Sequence, residues 1–504
     1  MNYKELEGEK RIATVQIAPN QTAVAEFLLD GQNSYLKIHS PQSLHFWTPP
    51  AVIFGVLGNG AHIAFYDCVS LGEQSSFIVG KSKIPIAAMR YITTLFPHGV
   101  VIGGLSLTEN VRFCSVQISV DDAAEIFYDF DTFGYVSSPH QCIEFILEKT
   151  KEKRGRSITA GENPIICYFT GKEKICEIDS SFGKISVNHT VSESHGLSKG
   201  IHLDDRIFID LQLQKGDEFS KVLDKILVLL RFFQIMAGRP QNLLSIEAQI
   251  DDGTGSCQKV DIYWPYKPLR RENGDNPNPT DILINGSISK DQFTSVMSKW
   301  LDFDATRLEA RVRFADTFSN QNFYDTDRII AAANMFDILP PDALPSEKFQ
   351  LPLELMRAHE VAKKEFEQLS QSPERDSILS ALGRLGSLTL KRKVKYRASY
   401  ITPLLDDKLP DLDFVLSEAI NCRNRYVHGS FSRVDYGVVG KELVPFLTDT
   451  LEFVFGASEL IEAGWNIFEW VMRNSALTHP WRVYFFHYKE NLNKLKVLFP
   501  QNSA

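Results

Sequence analysis

The chain has 504 residues and a formal net charge of -9, with 43% hydrophobic and 23% charged residues. This length exceeds what one hydrophobic core usually organises, so we expect two or more domains. The balance of apolar and charged residues excludes extensive disorder, and the negative charge excludes a general nucleic-acid coat, although one local basic site could still bind RNA.

The first half of the chain is typical of short β-strands. Alternating apolar and polar residues over 207–213 predict a strand, and the Asn59-Gly60 pair between two apolar runs predicts a tight hairpin. One amphipathic helix interrupts the strands over 217–237 and ends at Gly238. We therefore expect residues 1–265 to form a mostly β, sandwich-like domain with one packed helix.

A change of pattern follows a stretch rich in Pro, Gly and Asn, which predicts a linker over residues 266–290. Beyond it, apolar residues at helical spacing predict a helical bundle over 291–504. The predicted helices cover residues 291–300, 304–317, 326–338, 349–369, 375–397, 411–428, 441–463 and 466–495. The expected fold class is α+β, with a mostly β domain followed by an all-α domain.

The cysteines and the N-terminus favour a soluble cytoplasmic protein. Seven cysteines without a CxxC pair are typical of reduced thiols, the first ten residues are too polar for a signal peptide, and no apolar run is long enough to span a membrane. His195 and His202 beside Asp204 and Asp205 could bind a metal, but a polar loop also explains them. We predict no metal and no cofactor.

The predicted helix over 411–428 ends in an arginine and a histidine. Arg423 shares the spacing of the apolar residues, including Val427, which places it on the face expected to be buried, and Gly429 supplies a left-handed stop. An arginine followed by a histidine five to six positions later also occurs at Arg473–His479 and Arg482–His487. Only the first has Asn after Arg, an apolar helix before it and Gly after His.

Arg423 and His428 are the groups that RNA cleavage without a metal requires. The 2′-hydroxyl of RNA is its own nucleophile, so the enzyme needs a base to remove that proton and a cation to stabilise the charged transition state. Histidine exchanges protons near neutrality, and a guanidinium binds two phosphate oxygens at once. The expected products are a 2′,3′-cyclic phosphate and a 5′-hydroxyl, and DNA would be spared.

Helix geometry predicts that this site needs more than one helix. At about 100° per residue, Arg423 and His428 point roughly 140° apart, whereas Asn424 and His428 share a face. We therefore expect Asn424 to orient the imidazole, and a second copy of the helix to complete the phosphate site in a homodimer or higher homo-oligomer.

Basic residues upstream of this helix have two interpretations. An RNA-facing strip and a solvated helix end are equally compatible with Lys391, Arg392, Lys393, Lys395 and Arg397. Arg425 and Tyr426 could clamp or stack on an unstacked base, with packing and solvent exposure as rival explanations.

The segment Arg423-Asn424-Arg425-Tyr426-Val427-His428-Gly429 resembles the signature of the HEPN superfamily of metal-independent ribonucleases. The order of the domains is similar to that of ApeA-type proteins, in which a β-rich domain precedes a HEPN domain. The resemblance implies a bacterial abortive-infection protein, in which a phage component, such as a phage-encoded protein, triggers cleavage of RNA, namely of tRNA at the anticodon loop, and translation stops. It also implies that two motifs pair across a dimer, and that the N-terminal domain senses or restrains while the bundle cuts.

Two other classes of function remain open. A non-catalytic HEPN bundle would dimerise or bind RNA, and would keep its biological function after His428→Ala. Alternatively, residues 1–265 would be a module that binds a peptide or carbohydrate, with the bundle as an oligomerisation domain.

Overall fold

The computed structural model describes residues 3–498 except 47, 80–86, 104–106, 109–110, 130, 197–199, 252–256, 267–275, 321–322, 346–351, 384, 386–387, 406, 430–433 and 435. The chain divides into two compact units, Met1–Leu301 and Asp302–Ala504. The expected order of a mostly β region before a helical region is confirmed.

The first unit is built mainly of strands. The described strands are β1 (Arg11–Ala18), β2 (Gln21–Leu28), β3 (Tyr35–Ser40), β4 (Val52–Leu57), β5 (His62–Tyr66), β6 (Val69–Val79), β7 (Ala87–Phe96), β8 (Gly99–Ile102), β9 (Arg112–Val120), β10 (Phe133–Ser137), β11 (Ile165–Phe169), β12 (Lys174–Ser180), β13 (Gly183–Gly196), β14 (Gly200–Asp217), β15 (Leu243–Asp251) and β16 (Cys257–Tyr263). "Sandwich-like" is too coarse for them, because fourteen strands form one hydrogen-bonded series in the order β12-β13-β14-β9-β15-β16-β8-β5-β4-β1-β2-β3-β7-β6. Strands β10 and β11 form a separate two-stranded sheet.

Two strand predictions are confirmed and one loop prediction is wrong. Strands β4 and β5 pair antiparallel around Asn59-Gly60, and Gly60, at φ +84°, donates to the Leu57 carbonyl at 2.9 Å. The predicted strand over 207–213 lies within β14. His202, Asp204 and Asp205, however, belong to the same strand and not to a polar loop.

The helices described in the first unit are α1 (Ala123–Ile126), α2 (His140–Lys149), α3 (Lys151–Arg154), α4 (Phe219–Ala237) and α5 (Lys290–Asp302). Helix α4 is the one that the sequence predicts, and Gly238 ends it at φ +73°. Helix α2, none of whose residues is buried, is not among the helices that the sequence predicts.

The first unit extends beyond the predicted boundary. Within the predicted linker, residues 267–275 lie outside the described part, but Ile282, Leu283 and Ile284 are fully buried. The Phe293 ring of α5 lies 5.1 Å from that of Phe127. Helix α5, expected to be the first helix of the bundle, therefore belongs to the first unit, because its aromatic side chains complete that unit's core.

The helices described in the second unit are α6 (Asp304–Ser319), α7 (Thr326–Asp337), α8 (Leu353–Gln368), α9 (Pro373–Gly383), α10 (Leu390–Ala398), α11 (Thr402–Leu405), α12 (Leu412–His428), α13 (Tyr436–Ala463), α14 (Ile467–Met472) and α15 (Pro480–Val497). The predicted helix over 375–397 is divided into α9 and α10, and that over 466–495 into α14 and α15. The second division has a local cause, because Pro480 begins α15 and the His479 side chain caps it by accepting the Trp481 N–H.

Candidate active site on helix α12

Helix α12 holds the predicted catalytic pair at its C-terminal end. Its buried residues are Leu412, Val415, Leu416, Ala419, Ile420 and Cys422. Gly429 follows at φ +64° and its N–H donates to the Arg425 carbonyl at 3.0 Å, as the left-handed stop requires. The helix therefore ends where the sequence predicts.

The predicted burial of Arg423 is only partly right. Arg423 is half-buried, Val427 is 41% exposed and His428 is exposed. Cys422 continues the buried stripe instead, so Arg423 lies at the margin of the core. Burial raises the pKa of the Cys422 thiol to about 12, which leaves that neighbouring cysteine protonated and unreactive.

The structure brings Arg423 and His428 together. Arg423 Nη1 lies 3.5 Å from His428 Nε2, although their backbone directions diverge. The long arginine side chain spans that divergence, so the two groups meet on one helix, and the expectation that a second copy of the helix completes the phosphate site stays a prediction. Asn424 Oδ1 accepts from Arg423 Nη1 at 3.1 Å, so the residue expected to orient the imidazole holds the guanidinium instead.

Asn334 is a site residue that sequence reasoning missed. It lies on α7, and its Oδ1 accepts from Arg423 Nη2 at 2.9 Å. The guanidinium is thus fixed by two amide oxygens from two helices. The available signal was one polar residue within the apolar run of α7, from Ile330 to Phe336.

The residues of the predicted basic strip do not form one continuous exposed surface. Arg397 is fully buried, so its assignment to an RNA-facing strip is wrong. Lys393 donates to Asp337, and Lys395 to Asp413 at 2.9 Å. Lys391 and Arg392 are exposed at the start of α10, and their role toward RNA stays a prediction.

Arg425 and Tyr426 lie between Arg423 and His428 in the chain. Arg425 is exposed and its guanidinium lies 3.4 Å from the Gly429 carbonyl oxygen. Tyr426 is half-buried. Their roles toward an RNA base stay predictions.

The two competing Arg/His matches have structural roles. His479 is fully buried and caps α15. Arg482 is 5% exposed, donates to the Trp470 carbonyl at 2.6 Å and lies over the Trp470 ring. These contacts explain His479 and Arg482 by packing, so in each of the two competing matches one residue has a structural role.

Buried charges on α6, α10 and α13 pair with one another. We call the following residues the arginine cluster: Arg307 and Arg311 of α6, Arg397 of α10, and Glu459 and Glu462 of α13. Glu459 accepts from all three arginines at 2.7–3.0 Å. Arg397, the residue that resembled an RNA contact, is therefore a structural member of this cluster.

Two further acidic residues of α13, Asp449 and Glu452, line a cavity of about 300 Å³. Asp449 accepts from the Tyr324 hydroxyl at 2.7 Å, and Glu452 accepts from Arg328 at 2.9 Å. Burial and the neighbouring Glu452 carboxylate raise the pKa of Asp449 to about 7. The site has two carboxyl groups and one arginine, so the arginine does not neutralise both.

Over the described residues, no three or more His, Cys, Asp or Glu side chains are grouped so as to hold a metal ion. Within the same part of the chain, none of the helices combines the length and the apolarity needed to cross a membrane.

The comparison that assigns a family concerns the first unit. The model of the ApeA N-terminal domain 1 matches residues 13–300, more than half of the chain. The chain belongs to the ApeA family. This membership supports an ApeA-like role in anti-phage defence. No curated protein and no solved structure matches.

The ApeA match ends where the first unit ends. It therefore supports the boundary between Leu301 and Asp302, and it does not extend to α12. The resemblance to the HEPN signature rests on the sequence from Arg423 to Gly429.

Proposed function

We propose that this ApeA-family protein is a metal-independent endoribonuclease of abortive infection, with Arg423 and His428 as its catalytic pair. The observation that carries the proposal is the 3.5 Å distance between Arg423 Nη1 and His428 Nε2 at the exposed end of α12. A cation and a base this close can act on one phosphodiester and its neighbouring 2′-hydroxyl.

In the proposed reaction, His428 Nε2 removes the proton of the 2′-hydroxyl. The 2′-oxygen attacks the adjacent phosphorus, and the bond to the 5′-oxygen breaks. The leaving 5′-oxygen takes a proton from water and His428 releases its proton to water, which yields a 2′,3′-cyclic phosphate and a 5′-hydroxyl. Arg423 binds the non-bridging oxygens as charge develops there. Asn334 and Asn424 hold the guanidinium in place, so they are positioning residues.

The substrate we propose is tRNA, cut in the anticodon loop. In-line attack by a 2′-hydroxyl needs a nucleotide that is free to leave helical stacking, and loops provide such nucleotides. Exposed Arg425 and half-buried Tyr426 lie beside the pair and could hold an unstacked base. We further propose that the protein acts as a homodimer and that the first unit responds to a phage-encoded trigger.

The test is cleavage of bulk tRNA by the full chain in excess EDTA, with and without lysate from phage-infected cells. The variants are Arg423→Ala, Arg423→Lys and His428→Ala, and the RNA ends are mapped. His487→Ala is the matched control, because His487 is an exposed histidine from a competing Arg/His match.

We expect cyclic-phosphate ends from the wild type and from His487→Ala. His428→Ala and Arg423→Ala should lose at least about a hundredfold in rate, as removal of a general base or of a charge-stabilising donor does. Arg423→Lys should lose most of the wild-type rate, since a lysine ammonium cannot bind two phosphate oxygens in the bidentate geometry of a guanidinium. Cleavage that persists in both alanine variants would refute the assignment. Defence that survives His428→Ala would favour a non-catalytic bundle.

A further inference from the structure

The cavity of the helical unit contains an accessible carboxyl group. Asp449 of α13 lines this cavity of about 300 Å³, and its side chain is 32% exposed. Asp449 Oδ1 accepts from the Tyr324 hydroxyl at 2.7 Å, whereas Oδ2 makes no hydrogen bond within the described structure. A ligand in the cavity can therefore donate a hydrogen bond to Oδ2.

The neighbouring Arg328 already has other acceptors. Its Nε and Nη2 donate to the two oxygens of Glu452 at 2.9 Å each. Its Nη1 donates to the carbonyls of Asn320 and Phe323 at 2.6 and 2.9 Å. Arg328 Nη2 lies 3.9 Å from Asp449 Oδ1, which is too long for a hydrogen bond. Arg328 is thus the partner of Glu452, and Asp449 has no cation at hydrogen-bonding distance among the described residues.

Aromatic side chains form much of the cavity wall. The Phe446 ring of α13 stacks on the Tyr484 ring of α15 at 6.2 Å. Such a wall packs well against methylene groups, and ring faces attract cations. The aromatic residues among the described lining are Phe314, Phe318, Tyr324, Phe446, Trp481 and Tyr484.

The charges of the cavity select among ligands. No lysine occurs among its described lining residues, and Arg328, the arginine there, donates to Glu452 and to two carbonyls. An anion would therefore find few donors and would be repelled by the carboxylates, while a cation would pair with Asp449. Over the described residues no group of side chains is arranged to hold a metal ion. The aromatic wall also suits an organic cation better than a metal ion.

We propose that this cavity binds an organic monocation, an alkylammonium or guanidinium group, which donates an N–H to Asp449 Oδ2. The methylene part of the ligand packs on the aromatic wall. A free amine and a lysine or arginine side chain of a protein share this chemistry. The proposal does not depend on the ribonuclease activity.

Binding of such a cation should release a proton at neutral pH. The cation pairs with the ionised carboxylate, whereas a pKa of about 7 leaves much of Asp449 protonated at pH 7. The affinity should therefore rise roughly thirtyfold from pH 5.5 to pH 8.5 as this carboxyl ionises. Histidine also titrates in this range, so a variant of Asp449 must separate the two contributions. The other charged or titratable residues of the described lining are Tyr324, Arg328, Glu442, Glu452, Tyr484 and His487.

The test is calorimetric titration of the full-length protein at pH 5.5, 7 and 8.5. The probes are n-butylamine and n-butylguanidine as free cations, N-acetyl-lysine amide and N-acetyl-arginine amide as blocked amino acids, and n-butanol as an uncharged probe. Two buffers with different ionisation enthalpies give the number of protons released.

Asp449→Asn is the variant, because asparagine removes the charge and still accepts from Tyr324. Asp376→Asn is the matched control, since Asp376 is an exposed aspartate of α9 outside the described lining. Thermal unfolding checks that both variants are folded.

We expect the wild type and Asp376→Asn to bind at least one cationic probe with a Kd of about 1 mM or tighter, and to release a proton at pH 7. Asp449→Asn should bind roughly tenfold to a hundredfold more weakly, the effect of losing one charge-assisted hydrogen bond, and should release none. Tighter binding of the free cations would identify a free amine as the ligand class, and tighter binding of the blocked amino acids would identify a protein side chain.

Three outcomes would overturn the proposal. The first is that no cationic probe binds at about 10 mM. The second is that n-butanol binds as well as n-butylamine. The third is that Asp449→Asn keeps the wild-type affinity or its pH dependence, which would assign any titration to His487.

Discussion

At the scale of single residues, the arginine cluster shows how a buried charge is kept ionised. Burial by itself would raise the pKa of Glu459, but Arg311, Arg397 and Arg307 outweigh it, so the pKa of Glu459 is lowered. Each guanidinium in turn depends on this carboxylate, because all three are at most 2% exposed. Glu462 also accepts from Arg307 and Arg397, but Glu459 accepts from all three, so its removal affects three buried cations at once.

We predict that Glu459→Gln lowers the free energy of unfolding of the helical unit by about 3–5 kcal/mol, the cost of breaking a buried ion pair. Urea denaturation followed by circular dichroism measures this. Glu309→Gln is the matched control, since Glu309 pairs with Arg313 at 3.4 Å on the surface and should change stability by less than about 0.5 kcal/mol. Equal effects of the two substitutions would show that the cluster is not stabilising.

Asp449 gives a prediction about pH. Its pKa in the folded protein is about 7, against 3.8 for an unperturbed aspartate, so folding favours the protonated form. A raised carboxyl pKa contributes stability that is fully present below about pH 4 and is lost as the pH rises toward 7. Asparagine resembles the protonated carboxyl and can still accept from Tyr324.

Asp449→Asn should therefore leave stability at pH 4 nearly unchanged and increase it at pH 8. We expect a gain of about 1 kcal/mol, which allows for the partial exposure of the side chain. Thermal unfolding at the two pH values measures it. A gain of the same size at both would mean that the effect does not come from titration of this carboxyl.

At the scale of elements, α13 approaches its neighbours closely at one glycine. A Cβ on Gly456 would lie 2.4 Å from Phe314 Cζ and 2.7 Å from Trp481 Cζ2. Gly440, in the same helix, would place its Cβ 3.4 Å from the Tyr426 hydroxyl, which is an ordinary contact. Both glycines lie within α13, and their surroundings differ.

Gly456→Ala should lower the free energy of unfolding by about 1–3 kcal/mol, because the aromatic rings of α6 and α15 must move apart. The better helix propensity of alanine, worth about 1 kcal/mol, offsets part of this cost. Gly440→Ala, the control, should be neutral or slightly stabilising. Denaturant midpoints compare the two, and a neutral Gly456→Ala would indicate that the rings adjust without strain.

Local patterns predict some of these elements and miss others. The bounds of α12 follow from its apolar stripe and from Gly429, and the β4–β5 hairpin follows from Asn59-Gly60. The start of α15 was missed although Pro480 signals it. Asn334 could not be assigned to the site because it is 89 positions from Arg423, and only tertiary folding brings them together.

At the scale of the whole molecule, the boundary between the units determines which fragments are stable. Residues 1–265 lack the buried Ile282–Ile284 segment and the rings of Phe293 and Trp300, which lie against Phe232 at 5.6 and 5.4 Å. Truncation there would expose the apolar surface of α4. Residues 1–301 keep these contacts.

We predict that the fragment 1–301 unfolds in one cooperative transition, whereas 1–265 binds a hydrophobic dye and aggregates. Calorimetry and dye fluorescence on the two fragments measure this. Indistinguishable behaviour would show that α5 does not complete the core of the first unit. Partner-binding experiments on the isolated β domain should therefore use the longer fragment.

The strand order also determines when each strand can pair while the chain is being synthesised. Strand β9 hydrogen-bonds β14 and β15, and both follow it in the chain. About 80 residues separate the end of β9 from the start of β14. At ribosomal rates, their synthesis takes about 4–16 s, during which β9 has no strand to pair with. During that interval the nascent chain carries an unpaired apolar strand, which makes this stage the one at which chaperones and lower temperature would most improve the yield of folded protein.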